Sequence, residues 1–101
     1  MACNKVLRGV TSHIKMNFKD DNNEYLSVTN VVMKVYNNAG TLIDTIDDEI
    51  IFISRGQYIC EYTCPENYSY PEISFKYEGT YNNKIYGDRK TFEVILNSNE
   101  N

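Results

Sequence analysis

The sequence predicts an all-β fold, an antiparallel β-sandwich of about seven strands. Apolar and polar residues alternate with a period of two in several short stretches, such as SHIKMNFK and ISFKYE. Clusters of Gly, Asn, Asp and Pro separate these stretches at intervals of about 8 to 12 residues, as in domains built from short strands. No window long enough for a helix carries an apolar stripe at helical spacing.

The first clearly alternating stretch begins at Ser12. Its apolar residues Ile14, Met16 and Phe18 share one face, which is predicted to be buried. The polar cluster DDNNE at 20–24 then predicts a loop. Residues 1–11, which precede this strand, are either an N-terminal arm that reaches a neighbouring molecule or the first strand of the domain, and both alternatives stay open.

A hairpin is predicted in the next part of the chain. The stretch VVMKVY begins at Val31 and predicts a strand that directs Met33 and Val35 toward the core. The residues NNAG at 37–40 tolerate positive φ, so TLIDTI is expected to fold back as the partner strand. The apolar run at 50–53 predicts another short strand before the turn SRG.

The stretch GQYICEYTCPE at 56–66 predicts a strand that ends at Pro65, since proline cannot donate a ladder hydrogen bond. One face of this strand carries Tyr58, Cys60, Tyr62 and Cys64. Two further strands are predicted around the turn TYNNK, the second from about Tyr86 to Leu96. The predicted domain therefore covers residues 12–96, and residues 97–101 form a polar tail. The core residues expected from this alternation are Ile14, Met16, Phe18, Met33, Val35, Tyr58, Cys60, Tyr62, Phe75, Tyr77, Phe92 and Val94.

The two cysteines in this strand, Cys60 and Cys64, raise the question of a metal or redox site. Four residues of strand span about 13 Å, whereas a disulfide requires Cα atoms within about 7 Å. A single tetrahedral zinc ion could not reach both thiolates unless the strand broke between them. Because buried cysteine behaves as a small apolar residue, both are predicted to be core residues.

The charge and the N-terminal sequence exclude several kinds of partner. The formal net charge is −4, and an acidic chain gains nothing electrostatically from a phosphate backbone or an anionic membrane, so neither is expected as a partner. The stretch MACNKVLRGV lacks the apolar region of a signal peptide. Three cysteines are an odd number, which indicates reduced thiols inside a cell.

No catalytic arrangement is predicted. The sequence places no nucleophile or acid near His13. The acidic residues at 20–24 and 47–49 are either calcium ligands or ordinary turns, and the turn is favoured because the EF-hand spacing is missing. Each glycine stands singly, so there is no phosphate-binding loop. We therefore expect a non-enzymatic protein with no cofactor and no metal.

Tyrosine is abundant, with nine residues, and indicates recognition of another molecule. Several tyrosines lie in loops or at strand ends, and apolar residues in the N-terminal segment are candidates for edge contacts. A protein partner is favoured over a sugar, because sugar platforms usually contain Trp and this chain has none. The expected interface residues are Val6, Leu7, Val10, Tyr68, Tyr70, Tyr81 and Tyr86.

The order of the motifs VVMKVYNNAGT, GQYICEYTCPE, ISFKYEG and TFEV resembles a group of small immunoglobulin-like proteins encoded among the head and neck genes of tailed bacteriophages. The resemblance extends from about Ile14 to Val94, although YLSVTN replaces the proline-bearing loop expected before the second strand. The matching residues are Val35, Tyr36, Gly40, Gly56, Tyr58, Tyr62, Pro65, Phe75, Tyr77, Gly79, Phe92 and Val94.

This resemblance implies an immunoglobulin-like sandwich with a structural role in a virion assembled in the host cytoplasm. The implied protein is a capsid auxiliary (decoration) protein bound in many copies to the major capsid protein or another virion protein. A head–tail joining or neck component is an alternative within the same group. A glycan-binding or adhesin module of a bacterial surface protein is an alternative outside it.

Overall fold

A computed structural model describes residues 5–95, which form eight strands. The strands are β1 (Lys5–Leu7), β2 (Thr11–Asn17), β3 (Thr29–Asn37), β4 (Leu42–Ile46), β5 (Ile50–Ser54), β6 (Gln57–Thr63), β7 (Glu72–Tyr81) and β8 (Lys84–Ile95). The predicted all-β class is confirmed for these residues. The expected polar tail at 97–101 lies outside them.

The strands form two sheets that face each other across one core, which gives a β-sandwich-like fold. The larger sheet has the order β1-β8-β7-β3-β4, and the smaller sheet has the order β2-β6-β5. The neighbouring strands within each sheet run antiparallel, except that β1 runs parallel to β8. Four strands therefore lie at sheet edges: β1 and β4 in the larger sheet, β2 and β5 in the smaller one.

The alternation read from the sequence describes the inner faces of β2, β3, β6 and β7. The expected core residues that are buried are Ile14, Met16, Phe18, Met33, Val35, Cys60, Tyr62, Phe75 and Tyr77. Three others, Tyr58, Phe92 and Val94, are only partly buried and pack against the core from its margin. Phe92 and Val94 lie on β8, whose outer side is covered only by the short β1, and Tyr58 lies opposite the exposed Phe52 of the edge strand β5.

The turns follow the residues that tolerate positive φ. Asn82 and Asn83, at φ 53° and 63°, connect β7 to β8, and Gly40 at φ 86° closes the turn between β3 and β4. The Asn37 side-chain oxygen accepts hydrogen bonds from the backbone N–H groups of Ala39 and Thr41, which holds this turn. Local sequence therefore determines these two of the hairpin connections.

The N-terminal segment belongs to the domain where the structure describes it. Lys5–Leu7 pairs with Glu93–Ile95 of the same chain, so the first-strand alternative describes these residues. Val6 was expected at an interface, and this prediction is wrong, because its side chain is fully buried between the sheets. A three-residue strand shows too little alternation to reveal which of its side chains points inward.

Candidate interaction surface

Tyr68 is the second expected interface residue that lies in the core. It is 7% exposed, and its hydroxyl donates a hydrogen bond to the Glu72 carbonyl oxygen at 2.5 Å. The Tyr68 carbonyl oxygen in turn accepts a hydrogen bond from Arg8 Nη1 at 2.8 Å. Tyr68 therefore fixes the loop between β6 and β7 to the end of β1, and its ring is not available to a partner.

The other expected interface residues retain exposed surface but do not form one surface. Tyr70 contacts Tyr68 in the β6–β7 loop, with ring centroids 5.8 Å apart. Tyr81 and Tyr86 pack edge to face beside the β7–β8 turn, with centroids 6.2 Å apart. These two places lie at opposite ends of the ten-residue β7, which are about 30 Å apart for an extended strand. Two apolar residues complete the set: Leu7 is partly buried and Val10 is exposed.

The polar residues singled out in the sequence have structural partners. His13 Nε2 lies 3.1 Å from Glu61 Oε2 on the exposed face of the smaller sheet. In the loop at 20–24, Asp20 Oδ1 accepts the backbone N–H groups of Asn22 and Glu24, so this carboxylate stabilises its own turn. Within residues 5–95, no group of three or more His, Cys, Asp or Glu residues is arranged to hold a metal ion.

Cys60 and Cys64 are free, buried thiols. Burial raises the pKa of Cys60 to about 11, with further increases from the carboxylates of Glu49, Asp44 and Glu61. Burial also raises the pKa of Cys64, against a lowering by the Arg8 guanidinium. Because the thiolate is the nucleophile and the metal ligand, neither residue is activated for chemistry near neutral pH.

A small cavity opens at one end of the sandwich, with a volume of about 280 Å³. Its wall includes the carboxylates of Asp44, Glu49 and Glu61 together with Thr11 and Thr63. This lining contains neither a histidine nor a cysteine. The arrangement is that of an acidic surface depression.

Sequence reasoning missed the most apolar part of the surface, which we call the β4–β5 edge and define as the exposed apolar residues of those two strands. They are Leu42, Ile43, Ile51, Phe52 and Ile53, with exposures of 48%, 40%, 46%, 62% and 52%. Both strands are terminal in their sheets, and only residues 47–49 connect them. Both exposed edges therefore lie on the same side of the molecule.

The signal for this surface was present in the run IIFI, which does not alternate. A strand buried on both faces reads in the same way, and only the strand order shows that β5 lies at an edge. Exposed apolar side chains at a sheet edge are a candidate contact surface for another protein.

Comparison with known proteins gave no relative: no family model, no curated protein and no solved structure matches this chain significantly. Within residues 5–95, there is no helix long and apolar enough to cross a membrane.

Proposed function

We propose that this chain is a non-enzymatic, immunoglobulin-like structural protein of a tailed-phage virion, bound to the capsid shell as an auxiliary (decoration) protein. The observation that carries the immunoglobulin-like part is the strand order. One sheet contains β2-β6-β5, and the other places β8, β7, β3 and β4 side by side with β1 parallel to β8. Immunoglobulin domains of the variable type distribute their strands over two sheets in a comparable way.

Two glycines among the residues that carry the resemblance to phage proteins lie where a loop and the strands pack closely. Gly56 adopts φ 70° at the turn before β6, and a Cβ atom there would lie 2.9 Å from two backbone oxygens, of Leu26 and Phe18. Gly79 lies against Phe18 and Val28 with similarly little space. These glycines are therefore required by close packing of the loop before β3 against β6 and β7. The virion role itself rests on the motif resemblance.

The burial and ring packing of the tyrosines favour contact with a protein over contact with a glycan. A sugar platform needs an open aromatic face, but Tyr68 is buried. The rings of Tyr81 and Tyr86 pack against each other edge to face. The exposed aliphatic residues of the β4–β5 edge instead suit an apolar protein surface. Many copies of such a modest contact would bind a repetitive shell through avidity.

The experiment is to follow the tagged chain in its natural source through density-gradient isolation of particles. Co-purification with particles that contain the major capsid protein, in many copies per particle, supports the decoration role. A low copy number confined to the tail-proximal vertex would instead support the neck alternative. Absence from the particles contradicts both roles. Binding of the purified chain to a glycan array, abolished by Tyr70→Ala or Tyr81→Ala, would support the adhesin alternative.

A further inference from the structure

The segment at 42–54, which contains β4, β5 and their connection, combines exposed apolar side chains with negative charge. It holds the five residues of the β4–β5 edge and none of the 10 Lys and Arg residues of the chain. Its acidic residues, all exposed, are Asp44, Asp47, Asp48 and Glu49. Within residues 5–95 these carboxylates form no ion pair, whereas those of Glu61 and Glu78 do. The segment therefore presents uncompensated negative charge beside apolar surface.

The acidic surface depression brings carboxylates from both sheets together. Its wall contains Asp44 of β4, Glu49 just before β5 and Glu61 of β6. Burial and then these three carboxylates raise the pKa of the nearby Cys60 thiol, so their charges act on one place. The depression has a volume of about 280 Å³, against about 30 Å³ for one water molecule. It therefore has room for the ammonium or guanidinium group of a Lys or Arg side chain.

The side chains of β5, and not its backbone, form the contact surface of this strand. The register of β5 against β6 shifts between Phe52 and Ser54, where the strand ends. Such an irregularity interrupts the free edge and opposes the addition of another strand. The side chains of Ile51, Phe52 and Ile53 are nevertheless 46%, 62% and 52% exposed. A partner therefore meets apolar side chains and carboxylates here.

The negative charge of this segment selects the kind of partner. Two copies of the chain that met through it would bring like charges together, and an anionic partner would be repelled in the same way. A neutral apolar partner would remove water from the carboxylates without supplying a cation, which costs free energy. A partner with Lys or Arg beside its apolar residues avoids both penalties, because it gains charge-assisted hydrogen bonds as well as apolar contact.

We propose that the β4–β5 edge and the acidic surface depression together bind a protein segment that is both apolar and basic. The apolar side chains of this segment pack on the β4–β5 edge. One of its Lys or Arg side chains enters the depression between Asp44, Glu49 and Glu61. This inference rests on the protein-binding part of the proposed function and adds the chemistry of the surface that the partner presents.

The test is binding of labelled synthetic peptides to the purified chain, measured by fluorescence anisotropy. The first peptide alternates Lys with Leu, and two matched peptides of equal length alternate Glu with Leu and Lys with Ser. We expect the Lys–Leu peptide to bind at least about tenfold more tightly than either matched peptide. Its binding should weaken between about 50 mM and about 500 mM salt, because the salt screens the exposed charges.

Variants of the chain locate the contact. The double variant Asp44→Asn/Glu49→Gln and the single variant Phe52→Ser should each weaken binding of the Lys–Leu peptide at least about threefold.

Two control variants make matched changes elsewhere. Asp21→Asn/Glu24→Gln removes the same charge from the loop at 20–24, and Ile85→Ser alters an apolar residue of β8 that is 71% exposed. Both controls should bind within about twofold of the unchanged chain, since distant exposed charges are screened. Thermal unfolding of each variant verifies that it is folded.

Several outcomes overturn the proposal. Equal binding of the Lys–Leu and Glu–Leu peptides excludes selection for a basic segment, and equal binding of the Lys–Leu and Lys–Ser peptides excludes a role for the apolar residues. The absence of binding up to about 1 mM of the Lys–Leu peptide overturns both parts. Self-association of the chain that Phe52→Ser abolishes assigns the surface to a second copy instead.

Particle isolation separates this inference from the virion role. If Asp44→Asn/Glu49→Gln and Phe52→Ser co-purify with particles as fully as the unchanged chain does, the virion role stands and the inference is wrong. If the unchanged chain is absent from particles, the virion role is wrong, and the peptide measurements with the purified chain still decide the inference.

Discussion

The Tyr68 hydroxyl and the Glu72 carbonyl oxygen are joined by a hydrogen bond of 2.5 Å that closes the loop between β6 and β7. Arg8 of the β1–β2 turn donates to the Tyr68 carbonyl oxygen at 2.8 Å. In the same turn the Gly9 N–H donates to the carbonyl oxygen of Cys64, just after β6, at 2.7 Å. The β1–β2 turn is therefore joined to the β6–β7 loop region by one hydrogen bond from a side chain and one between backbone groups. The abundance of tyrosine suggested recognition of another molecule, but Tyr68 stabilises the fold.

Replacement of this hydroxyl should lower stability without changing the fold. Tyr68→Phe leaves the Glu72 carbonyl oxygen without its partner in a part-buried setting, and we expect the free energy of unfolding to fall by about 1–2 kcal/mol. Urea denaturation monitored by circular dichroism measures the change. Tyr70→Phe is the matched control at an exposed ring, with an expected change within about 0.5 kcal/mol. Equal stability of the two variants would contradict the role given to this hydrogen bond.

Val6 provides a second comparison between neighbouring residues of the same type. Val6→Ala removes two methyl groups from a fully buried site, so the free energy of unfolding should fall by about 2 kcal/mol. Val10→Ala alters a residue that is 42% exposed and should change stability by less than about 0.5 kcal/mol. Urea midpoints of the two variants measure the difference. If Val6→Ala left stability unchanged, β1 would not be an integral strand of the domain.

The parts of the fold that the sequence predicted are those that depend on residues close together in the chain. Ile14, Met16 and Phe18 are buried because alternation along one strand assigns them to one face, and this face packs inward. The positive φ values at Asn82 and Asn83 likewise reflect the turn preference of Asn. In each case the information lies within a few residues of the chain.

The parts that the sequence could not predict depend on contacts between distant segments. Val6 is buried because β1 pairs with β8 at the other end of the chain. Tyr68 is buried because its loop docks against β1, and no periodicity operates in a loop. The exposed surface at Phe52 follows from the position of β5 at the end of its sheet. Strand order determines all three, and a single sequence does not encode strand order in a local pattern.

Two glycines with the same backbone conformation should respond differently to substitution. Gly56 and Gly40 both have positive φ, at 70° and 86°. A Cβ atom at Gly56 would lie 2.9 Å from the carbonyl oxygens of Leu26 and Phe18, whereas at Gly40 it would meet no atom within 4 Å. Gly40→Ala should therefore lower stability only by the backbone term, about 1 kcal/mol. Gly56→Ala should lower it by at least about 3 kcal/mol, since steric displacement of backbone adds to the same term.

Thermal and urea unfolding of both glycine variants test this difference. Loss of the folded state in Gly56→Ala alone agrees with the expected order. An equal effect of the two substitutions would show that the backbone conformation, and not the close approach of Leu26 and Phe18, determines the requirement for glycine at position 56.

The buried thiol of Cys60 should make stability fall in alkaline solution. Burial first, and then the carboxylates of Glu49, Asp44 and Glu61, raise the pKa of Cys60 from its ordinary 9.0 to about 11. The folded state therefore holds this proton more tightly than the unfolded state. The resulting stability is fully present below pH 9 and is lost as the pH rises toward 11. At pH 10 the loss should be about 1 kcal/mol.

Tyr62 and Cys64 also have raised pKa values, so the effect of Cys60 must be separated from theirs. The measurement therefore compares urea unfolding of the unchanged chain and of Cys60→Ala at pH 8, 9 and 10. The stability advantage of the unchanged chain over Cys60→Ala should shrink across this range, and a constant difference would contradict the raised pKa of Cys60.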